Sequence, residues 1–531
     1  MCGIAGLVGL DPEVRIGAML QTIEHRGRDD EGVWTSEAIG DEGRRVCLGH
    51  RRLSIIDTSS AGHQPMLSSD GRFVLILNGE IYNYRELREQ LISKGHSFGT
   101  QSDTEVLLVA WAEWGEDCLS RLNGMFAFAL WDNKERTLSL VRDRVGIKPL
   151  YYAQGRKPDR DGGCNTLIFA SEIKSILASG LIKAELDHES LHQFLTFLWA
   201  PDPNTLFRGI KTVPPGHIVT LRGDELTVRQ WWDVSFDAIE EGRSEAWWQE
   251  QVLETLDRVV KLEMVADVPL GSFLSGGIDS SSIVAMMKHH SRGRPIGTYT
   301  IGMEAEDLRY DIIPDDIEWA RRVNQQLDTD YHEIMLKPEV AELLPKLVYH
   351  MDEPAIDMAI PSYLVSCAAR ETLRVMLSGM GGDEVFAGYP RQMAMKVAGA
   401  IDPLPDLLRR PLMKTIAHVL PGGLPGRLTA PLRNAKKFAR SAALGFEARY
   451  LGFQTYFNDK AKTRLYSDDL REATNGMDAY SAHRRYFSRV KNAAPLNQML
   501  YVDLKTFLPC LNLMTTDKTS MAANLEVRVP F

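Results

Sequence analysis

The feature that most constrains the fold is a glycine-rich loop set between a strand pattern and a helix pattern. The motif Ser275-Gly276-Gly277-Ile278-Asp279-Ser280-Ser281 follows an apolar run and opens a helical segment. Strand and helix patterns alternate over residues 268–274, 279–288, 298–302, 317–327, 330–334 and 375–378. This alternation predicts a parallel sheet with helices on both faces. The loop would then lie at the carboxyl edge of the sheet, where backbone N–H groups and a helix N-terminus suit a phosphate chain.

The loop also has a purely structural interpretation. Asp279 or Ser280 could cap the helix behind a tight glycine turn, and for an isolated Ser-Gly-Gly the two interpretations are about equally favoured. No GxxxxGK[ST] motif occurs in the chain, so kinase-type transfer of a γ-phosphate is disfavoured. The surrounding strand and helix pattern favours phosphate binding.

Two other strand ends, Ile301-Gly302 and Ser378-Gly379, are expected at the same sheet edge, where ligands of open α/β sheets bind. The residues that would bracket a ligand there are Leu274, Ile301, Ser378 and Gly379. The chain then continues into Gly381-Gly382-Asp383-Glu384. Asp383 and Asp279 could hold Mg²⁺, since magnesium takes one or two carboxylates plus phosphate oxygens. Either acid could instead be a helix cap.

The first third of the chain has the pattern of short strands and turns with a few helices. Residues 72–77 predict a strand that stops at Asn78-Gly79, a turn dipeptide. Ser102 and Glu105 have capping-box spacing ahead of an apolar helical face, which would put Asp103 in the first helical turn. Residues 125–131 and 138–141 are further strand candidates, so we expect stacked sheets with helices.

A domain boundary is expected in the segment 201–237, which is rich in Pro, Gly and Trp and precedes long helical patterns. We therefore predict a first domain over residues 1–210, a linker over residues 211–240 and a second domain over residues 241–531. The sequence stops in an apolar run at residues 527–531, so we expect the second domain to continue beyond it.

Composition excludes several classes of partner. A formal net charge of −10 without a Lys/Arg run disfavours nucleic acid. No apolar run reaches the roughly 20 residues needed to span a bilayer, so no membrane partner is expected. The six cysteines are Cys2, Cys47, Cys118, Cys164, Cys367 and Cys510. Their wide spacing predicts neither zinc binding nor a disulfide framework, which favours a reducing, cytoplasmic location.

Cys2 becomes the N-terminal residue if Met1 is removed, which the small Gly3 permits. Taken alone, a cysteine at position 2 is usually incidental. Its chemistry is nevertheless favourable, because an α-amine has an unperturbed pKa of roughly 7.7–8.0 and can take the thiol proton near neutral pH. Nucleophile and base would then share one residue.

Several motifs give this cysteine a context, namely MCGIAG, RLSIID, LNGEIYNY, SDTE, FAFALWD and RDRVGIKPLYY. They occur in the order found in class II glutamine amidotransferases, and SGGIDSS resembles the PP-loop of the ATP pyrophosphatases. Over nearly its whole length the chain resembles the glutamine-hydrolysing asparagine synthetase family. The resemblance implies an α/β fold of two domains. The first would be an αββα sandwich of Ntn-hydrolase type, and the second a parallel-sheet PP-loop domain similar to adenine nucleotide α-hydrolases.

For the first domain, the resemblance implies that Cys2 attacks the side-chain amide of glutamine, forms a glutamyl thioester and releases ammonia. Asn78 and the Gly79 N–H would form the oxyanion hole. The implied glutamine-binding residues are Arg52, facing the α-carboxylate, Asn78, Gly79, and Glu80 and Asp103, facing the α-amine. Without the resemblance, Arg52 and Asp103 would be interpreted as a surface charge and a helix-start acid.

For the second domain, the resemblance implies an ATP- and Mg²⁺-dependent ligase that activates a carboxylate as an acyl adenylate. The implied ATP-binding residues are Leu274, Ser275, Gly276, Gly277, Asp279, Ser280, Ile301, Ser378 and Gly379, with Asp279 and Asp383 on the metal. Lys518, otherwise a solvated side chain, would stabilise charge as the amine attacks. Ammonia would pass internally between the domains, and aspartate would become asparagine with release of AMP and pyrophosphate.

Two positions depart from the family pattern. Arg28 stands where proline is common, which implies a local loop change. Met380 stands where a glutamate is proposed to meet the adenylate and ammonia, and a thioether cannot accept a proton. The acceptor therefore stays open between aspartate and another carboxylate, such as a sugar uronic acid of surface polysaccharides. An RNA-modifying protein and a plain glutaminase are the other classes considered, and the oligomeric state, including a homodimer, is left open.

Overall fold

The computed structural model describes residues 2–40, 43–156, 165–236, 240, 242–303, 316–336, 340–354, 358–402, 404–420 and 429–531; Cys164 lies outside these ranges. The chain divides into two compact units. The first comprises Met1–Glu185, Asp202–Gly381 and Leu511–Phe531. The second comprises Leu186–Pro201 and Gly382–Cys510.

The secondary structure follows in chain order. The strands are β1 (Gly3–Gly9), β2 (Asp30–Thr35), β3 (Arg45–Arg52), β4 (Met66–Leu67), β5 (Phe73–Ile81), β6 (Gly124–Asp132), β7 (Thr137–Arg142), β8 (Tyr151–Arg156), β9 (Asn165–Ala170), β10 (Ile210–Thr212), β11 (His217–Arg222), β12 (Glu225–Gln230), β13 (Leu270–Phe273), β14 (Gly297–Met303), β15 (Asp330–Leu336), β16 (Val375–Leu377) and β17 (Glu526–Arg528). The helices are α1 (Glu13–Thr22), α2 (Tyr84–Ser93), α3 (Asp103–Trp114), α4 (Cys118–Arg121), α5 (Ile173–Ala178), α6 (His188–Phe197), α7 (Glu245–Glu263), α8 (Ile278–His290), α9 (Asp316–Leu327), α10 (Val340–Met351), α11 (Ala359–Arg370), α12 (Gly382–Phe386), α13 (Pro390–Gly399), α14 (Asp406–Val419), α15 (Thr429–Ala442), α16 (Phe446–Gln454), α17 (Asp459–Leu465), α18 (Asp468–Ala473), α19 (Ser481–Arg489), α20 (Pro495–Lys505) and α21 (Leu513–Ala522).

The N-terminal part is a four-layered αββα sandwich, as predicted. Two antiparallel sheets have the strand orders β10-β8-β9-β1-β3-β2 and β12-β11-β7-β6-β5-β4. Side chains alternate between the faces of a strand, so Val74 and Ile76 of β5 pack between the sheets while Leu75 and Leu77 pack outward among the residues of α2 and α3. Helices α1 and α5 cover the outer face of the first sheet. Burial on both faces explains why residues 73–77 are continuously apolar.

Two expectations for this part differ from the structure. Asn78 and Gly79 do not end a strand: β5 continues through them to Ile81, and they pair with Ala127 and Phe126 of β6. Long-range pairing therefore overrides the local turn preference of Asn-Gly. Much of the predicted linker, residues 211–230, lies in strands β10, β11 and β12 of the two sheets. We therefore propose a boundary after Gln230.

The capping motif at Ser102 is confirmed in part. The Ser102 hydroxyl accepts the Thr104 N–H at the start of α3, which ends at Trp114 with Gly115 as its C-cap. Glu105 does not close the capping box. Its carboxylate accepts the N–H groups of Gly99 and Thr100 instead, both at 2.7 Å, because the preceding loop turns back over the helix start.

The predicted parallel sheet is confirmed, with the order β15-β14-β13-β16-β17. Leu274 packs with Val284 of α8 and Ala320 of α9 on one face. Tyr299 and Met376 pack with residues of α11 on the other face. The edge strand β17 comes from the last residues of the sequence and was not anticipated.

The second unit is helical throughout its described residues, with α6 and α12 to α20. One buried carboxylate, that of Asp503, accepts hydrogen bonds from four side chains: Arg391, Gln392, Tyr450 and Gln454. Such saturation is what a fully buried charge requires. Among the described residues, no helix combines the length and apolar character needed to cross a membrane.

Candidate functional site

Cys2 is buried at the entrance to β1, with its backbone held on both sides. Its N–H donates to Asn78 Oδ1 at 3.1 Å, and its carbonyl accepts from Arg26 Nε at 3.1 Å. The thiol Sγ lies 3.9 Å from the carbonyl oxygen of Leu53. Burial raises the pKa of the Cys2 thiol. The sulfur is therefore held in a defined place as a thiol, and nucleophilic attack requires a nearby base to take its proton.

Asn78 and Gly79 stand beside this cysteine. Asn78 is fully buried, and while its oxygen accepts from Cys2, its Nδ2 has no hydrogen-bond partner within the described part of the chain. A Cβ on Gly79 would lie 2.1 Å from the carbonyl oxygen of Met125, so β6 can approach only a glycine there. An unpartnered amide donor next to a nucleophile can stabilise negative charge that develops on a carbonyl oxygen.

Arg52, at the end of β3, is held by backbone carbonyls. Its Nη1 donates to the Ser59 carbonyl at 2.8 Å, and its Nη2 donates to the Asp57 carbonyl at 2.5 Å. A Cβ on Gly62 would lie 1.9 Å from Nη2, so the loop closes tightly over the guanidinium. The structure thus fixes a cation in the loop that follows β3, which also contains Leu53.

Glu80, two residues after Asn78 in β5, and Asp103, at the start of α3, are two buried acids that influence each other. Asp103 Oδ2 accepts the Ile81 N–H at 2.9 Å, whereas Glu80 Oε2 has no partner within the described residues. Burial raises the pKa of both carboxyls, and for Glu80 the neighbouring acids Glu526 and Asp103 raise it further. Two buried acids with one unpartnered oxygen suit a cation such as an ammonium group.

At the other predicted site, the structure brings the glycine loop and the Ser378-Gly379 strand end together. β13 and β16 are neighbours in the sheet, and a Cβ on Gly379 would lie 2.9 Å from Asp279 Cβ. Within the loop, Ser275 Oγ and Ser280 Oγ lie 3.0 Å apart, and Gly277 is the residue at the N-terminus of α8. Ile301 lies near the end of the adjacent strand β14. The loops therefore share one carboxyl edge, as ligand binding in an open α/β sheet requires.

Gly276 has φ +76°, and a Cβ there would lie 2.5 Å from the carbonyl carbon of Trp319 in α9. Both the backbone conformation and the close approach demand glycine. Met380 follows on the neighbouring loop, where its N–H donates to Ser378 Oγ at 3.3 Å. Asp383 lies in the first turn of α12, in the second unit.

Lys518 is buried in α21 rather than solvated. Its ammonium donates to the Met351 carbonyl at 2.8 Å and to Asp352 Oδ2 at 2.9 Å. Burial lowers the pKa of Lys518, but the Asp352 carboxylate outweighs this and holds it above its ordinary value. The side chain is therefore a permanent cation at physiological pH.

Sequence reasoning missed a set of buried charges near these residues: Arg26, Lys148, Glu172, Lys174, Asp352 and Asp517. Arg26 and Lys148 lie inside the motifs HRGRDDEG and RDRVGIKPLYY, so their neighbours offered a signal. Asp352 precedes Glu353-Pro354 directly after α10. The other three stand in no motif, and only packing identifies them as buried.

Comparison with known proteins gives consistent matches over both halves of the chain. The model of a glutamine amidotransferase domain matches residues 1–232, and the model named asparagine synthase matches residues 251–531. Asparagine synthetase [glutamine-hydrolyzing] 1 of Bacillus subtilis is 34% identical over 541 residues, which cover 100% of this chain and 79% of that protein. A putative asparagine synthetase [glutamine-hydrolyzing] of Mycobacterium tuberculosis is 34% identical over 100% of this chain and 78% of its own length. Amidase chry2 of Gibberella zeae is 31% identical over 96% of this chain and 76% of its own length.

Proposed function

The chain belongs to the asparagine synthase family and begins with a glutamine amidotransferase domain, and from this we propose that it makes asparagine from aspartate, ATP and glutamine. The observation that carries the glutamine half is the Cys2–Asn78 pair. Asn78 fixes the Cys2 backbone through Oδ1 and leaves Nδ2 unpartnered within the described residues.

In the proposed first half-reaction, removal of Met1 frees the α-amine of Cys2, which takes the thiol proton. The sulfur attacks the glutamine side-chain carbonyl, and Asn78 Nδ2 with the Gly79 N–H stabilises the oxyanion. Collapse of this tetrahedral species expels ammonia and leaves a glutamyl thioester, which water hydrolyses to glutamate. Arg52 would pair with the substrate α-carboxylate, and the buried acids Glu80 and Asp103 would face its α-ammonium.

In the proposed second half-reaction, the acceptor carboxylate attacks the α-phosphorus of ATP, releasing pyrophosphate and forming an acyl adenylate. The loop 275–280 would hold the phosphates through its N–H groups, and Leu274, Ile301, Ser378 and Gly379 would bracket the adenosine. The resemblance assigns Mg²⁺ to Asp279 and Asp383, and of these Asp279 offers its carboxylate in the first turn of α8, directly after the loop. Ammonia then attacks the acyl carbon, AMP leaves, and Lys518 stabilises the negative charge that develops.

Free ammonia is protonated in bulk water and loses its nucleophilicity. The proposal therefore includes internal transfer of ammonia from Cys2 to the acyl adenylate. Both sites belong to the same compact unit apart from Asp383, which supports such a route.

A sugar uronic acid or another carboxylate is the second candidate acceptor. Met380 favours it, because a thioether cannot take the proton that an attacking amine loses.

The test is a screen of carboxylic acids for conversion of ATP to AMP in the presence of glutamine. Aspartate should stimulate turnover most. If a uronic acid stimulates conversion of ATP to AMP while aspartate does not, the uronic acid replaces aspartate as the acceptor. If none of the acids tested stimulates this conversion, only a glutaminase activity is left. Cys2→Ala should lose glutamine use and keep synthesis from added ammonia; loss of both would contradict the division of labour.

A further inference from the structure

We propose that Glu172, Lys174 and Asp352 are positioning residues. Through Arg26, they couple the position of the Cys2 backbone to the position of the Lys518 ammonium group. The inference rests on the proposed function, because it gives Cys2 and Lys518 their chemical roles. Neither the proposed glutamine chemistry nor the proposed ATP chemistry gives a role to these three residues. Together with Arg26 and Lys518, these three residues are called the buried charge chain below.

The buried charge chain begins beside the nucleophile, at Arg26. Arg26 donates through Nε to the Cys2 carbonyl at 3.1 Å and through Nη1 to Glu172 Oε1 at 2.9 Å. Its remaining nitrogen, Nη2, donates to Asp517 Oδ2 at 2.8 Å, which ties the same guanidinium to α21 one residue before Lys518. The Arg26 and Glu172 side chains have no solvent exposure. A movement of Glu172 would therefore reach the Cys2 backbone through a single side chain.

The buried charge chain continues without a gap from Glu172 to Lys518. Lys174 forms an ion pair with Glu172 Oε2 and lies 2.9 Å from Asp352 Oδ1. Asp352 Oδ2 in turn accepts from the Lys518 ammonium at 2.9 Å. Charges alternate in sign along the whole chain: Arg26, Glu172, Lys174, Asp352, Lys518.

Asp352 is also fixed by the backbone. Its Oδ2 accepts the Ile173 N–H at 2.9 Å, and its Oδ1 accepts the Lys174 N–H at 3.1 Å. One carboxylate therefore joins α5 of the first domain to Lys518 of the second. Burial would raise the pKa of Asp352, but Lys174 and Lys518 hold it below its ordinary value.

Such an arrangement is costly unless each charge keeps a partner. Removing one member of a buried ion pair leaves the other charge uncompensated in a low-dielectric interior. When Lys518 turns from Asp352 toward a developing charge on the adenylate, Asp352 keeps Lys174 as its main cation. Lys174 then shares less with Glu172, which relies more on its two other partners, His25 at 3.0 Å and Arg26 at 2.9 Å. Arg26 in turn holds the Cys2 carbonyl. Occupancy of the acceptor site would thus alter the geometry at the nucleophile.

The direct test measures how far ATP plus acceptor stimulates glutamate release from glutamine. In the wild-type chain we expect stimulation of between about 5- and 150-fold, the usual range of coupling between two sites. Lys174→Met, which keeps side-chain length but removes the charge, should bring the factor close to 1. Both basal glutamine hydrolysis and ammonia-dependent AMP formation should remain measurable. Lys174→Arg should restore the stimulation.

Lys462→Met is the matched control, because Lys462 is another buried lysine, bonded to His192 and Thr196 in the second unit. It should keep the wild-type stimulation factor. A Lys174→Met factor equal to that of the wild type, or a wild-type factor of 1, would overturn the proposal. If the wild-type protein converts no ATP to AMP with ammonia, the proposed function itself is wrong, and the coupling proposal falls with it.

A second measurement needs no folded variant. The rate of Cys2 alkylation by iodoacetamide in the wild-type chain should change severalfold when ATP and acceptor are added. An unchanged rate would count against the buried charge chain even if Lys174→Met proved too unstable to assay.

Discussion

At the scale of single residues, two atoms of one side chain have separate tasks. Asn78 Oδ1 accepts from the Cys2 backbone, and Nδ2 is left as a donor without a partner in the described part of the chain. Because the two atoms differ in chemistry, substitution can separate positioning of the nucleophile from stabilisation of an oxyanion.

Asn78→Asp keeps an oxygen for the Cys2 N–H but removes the Nδ2 donor. We expect it to lower glutamine-dependent kcat by about 10²–10³, the usual loss for one oxyanion-hole donor, and to leave ammonia-dependent synthesis unchanged. Steady-state assays with each nitrogen source measure this. Equal losses with glutamine and ammonia would show that Asn78 supports the fold instead.

Glu263, the last residue of α7, is a buried acid whose Oε2 has no partner among the described residues. Burial raises the pKa of Glu263 from 4.5 to about 8. A carboxyl with a raised folded-state pKa contributes stability that is complete below its unfolded pKa and is lost as pH rises through the folded pKa.

Glu263→Gln should therefore gain stability relative to wild type between about pH 4.5 and pH 8. The gain should be a few kcal/mol, at most about 5, since each unit of pKa shift corresponds to roughly 1.4 kcal/mol. Urea unfolding at pH 5, 7 and 8.5 measures it. Glu254→Gln, on an exposed face of the same helix, should show no such trend. A gain independent of pH would exclude ionisation of Glu263 as its cause.

At the scale of elements, close approach between neighbours decides where glycine is required. The loop after β13 meets α9 at Gly276, where positive φ and a short distance to Trp319 coincide. Gly293, just after α8, shares the positive φ, at +83°, but a Cβ there would meet nothing within 4 Å. A comparison of substitutions at Gly276 and Gly293 therefore distinguishes the effect of backbone strain from the effect of steric overlap.

Gly276→Ala should abolish ATP-dependent turnover while glutamine hydrolysis persists, because relieving the overlap with Trp319 moves the phosphate loop or α9. Gly293→Ala should cost about 1–2 kcal/mol of stability and leave ATP binding intact, since it carries only the left-handed strain. ATP titration and thermal melting of both variants measure these effects. Equal loss of ATP binding in both would mean that strain alone is responsible.

At the scale of the whole molecule, the amidotransferase sheets and the parallel sheet belong to one compact unit. Leu75 of β5 lies in the same buried cluster as Val375 and Leu377 of β16. The two halves of the first unit therefore share a core and should lose structure together.

Leu75→Ala should cost about 2–5 kcal/mol and lower the inactivation temperatures of glutamine hydrolysis and of ammonia-dependent synthesis by similar amounts. Heating series followed by both assays measure this. Leu451→Ala, in the core of the second unit, should leave the glutaminase midpoint unchanged. Loss of glutaminase alone in Leu75→Ala would indicate independently folding halves.

Local pattern sufficed for much of the fold. The alternation after Asp267 predicted the strand and helix order of the parallel sheet, because covered strands and amphipathic helices have distinct apolar periods. Asn78-Gly79 shows the limit of such reasoning. The dipeptide favours a turn locally, yet pairing with β6 on one side of a doubly buried strand holds both residues extended.

The sequence alone therefore determined the order of strands and helices in the parallel sheet up to β16, where the glycine loop must lie on that sheet, and that Cys2 is the candidate nucleophile. Only the tertiary structure revealed that Arg26, Glu172, Lys174, Asp352 and Lys518 form one buried chain. The reason is physical: periodicity reports which face of an element is apolar, whereas partners for buried charges come from segments as far as 146 and 166 residues apart. Their pairing exists only once the domains have packed.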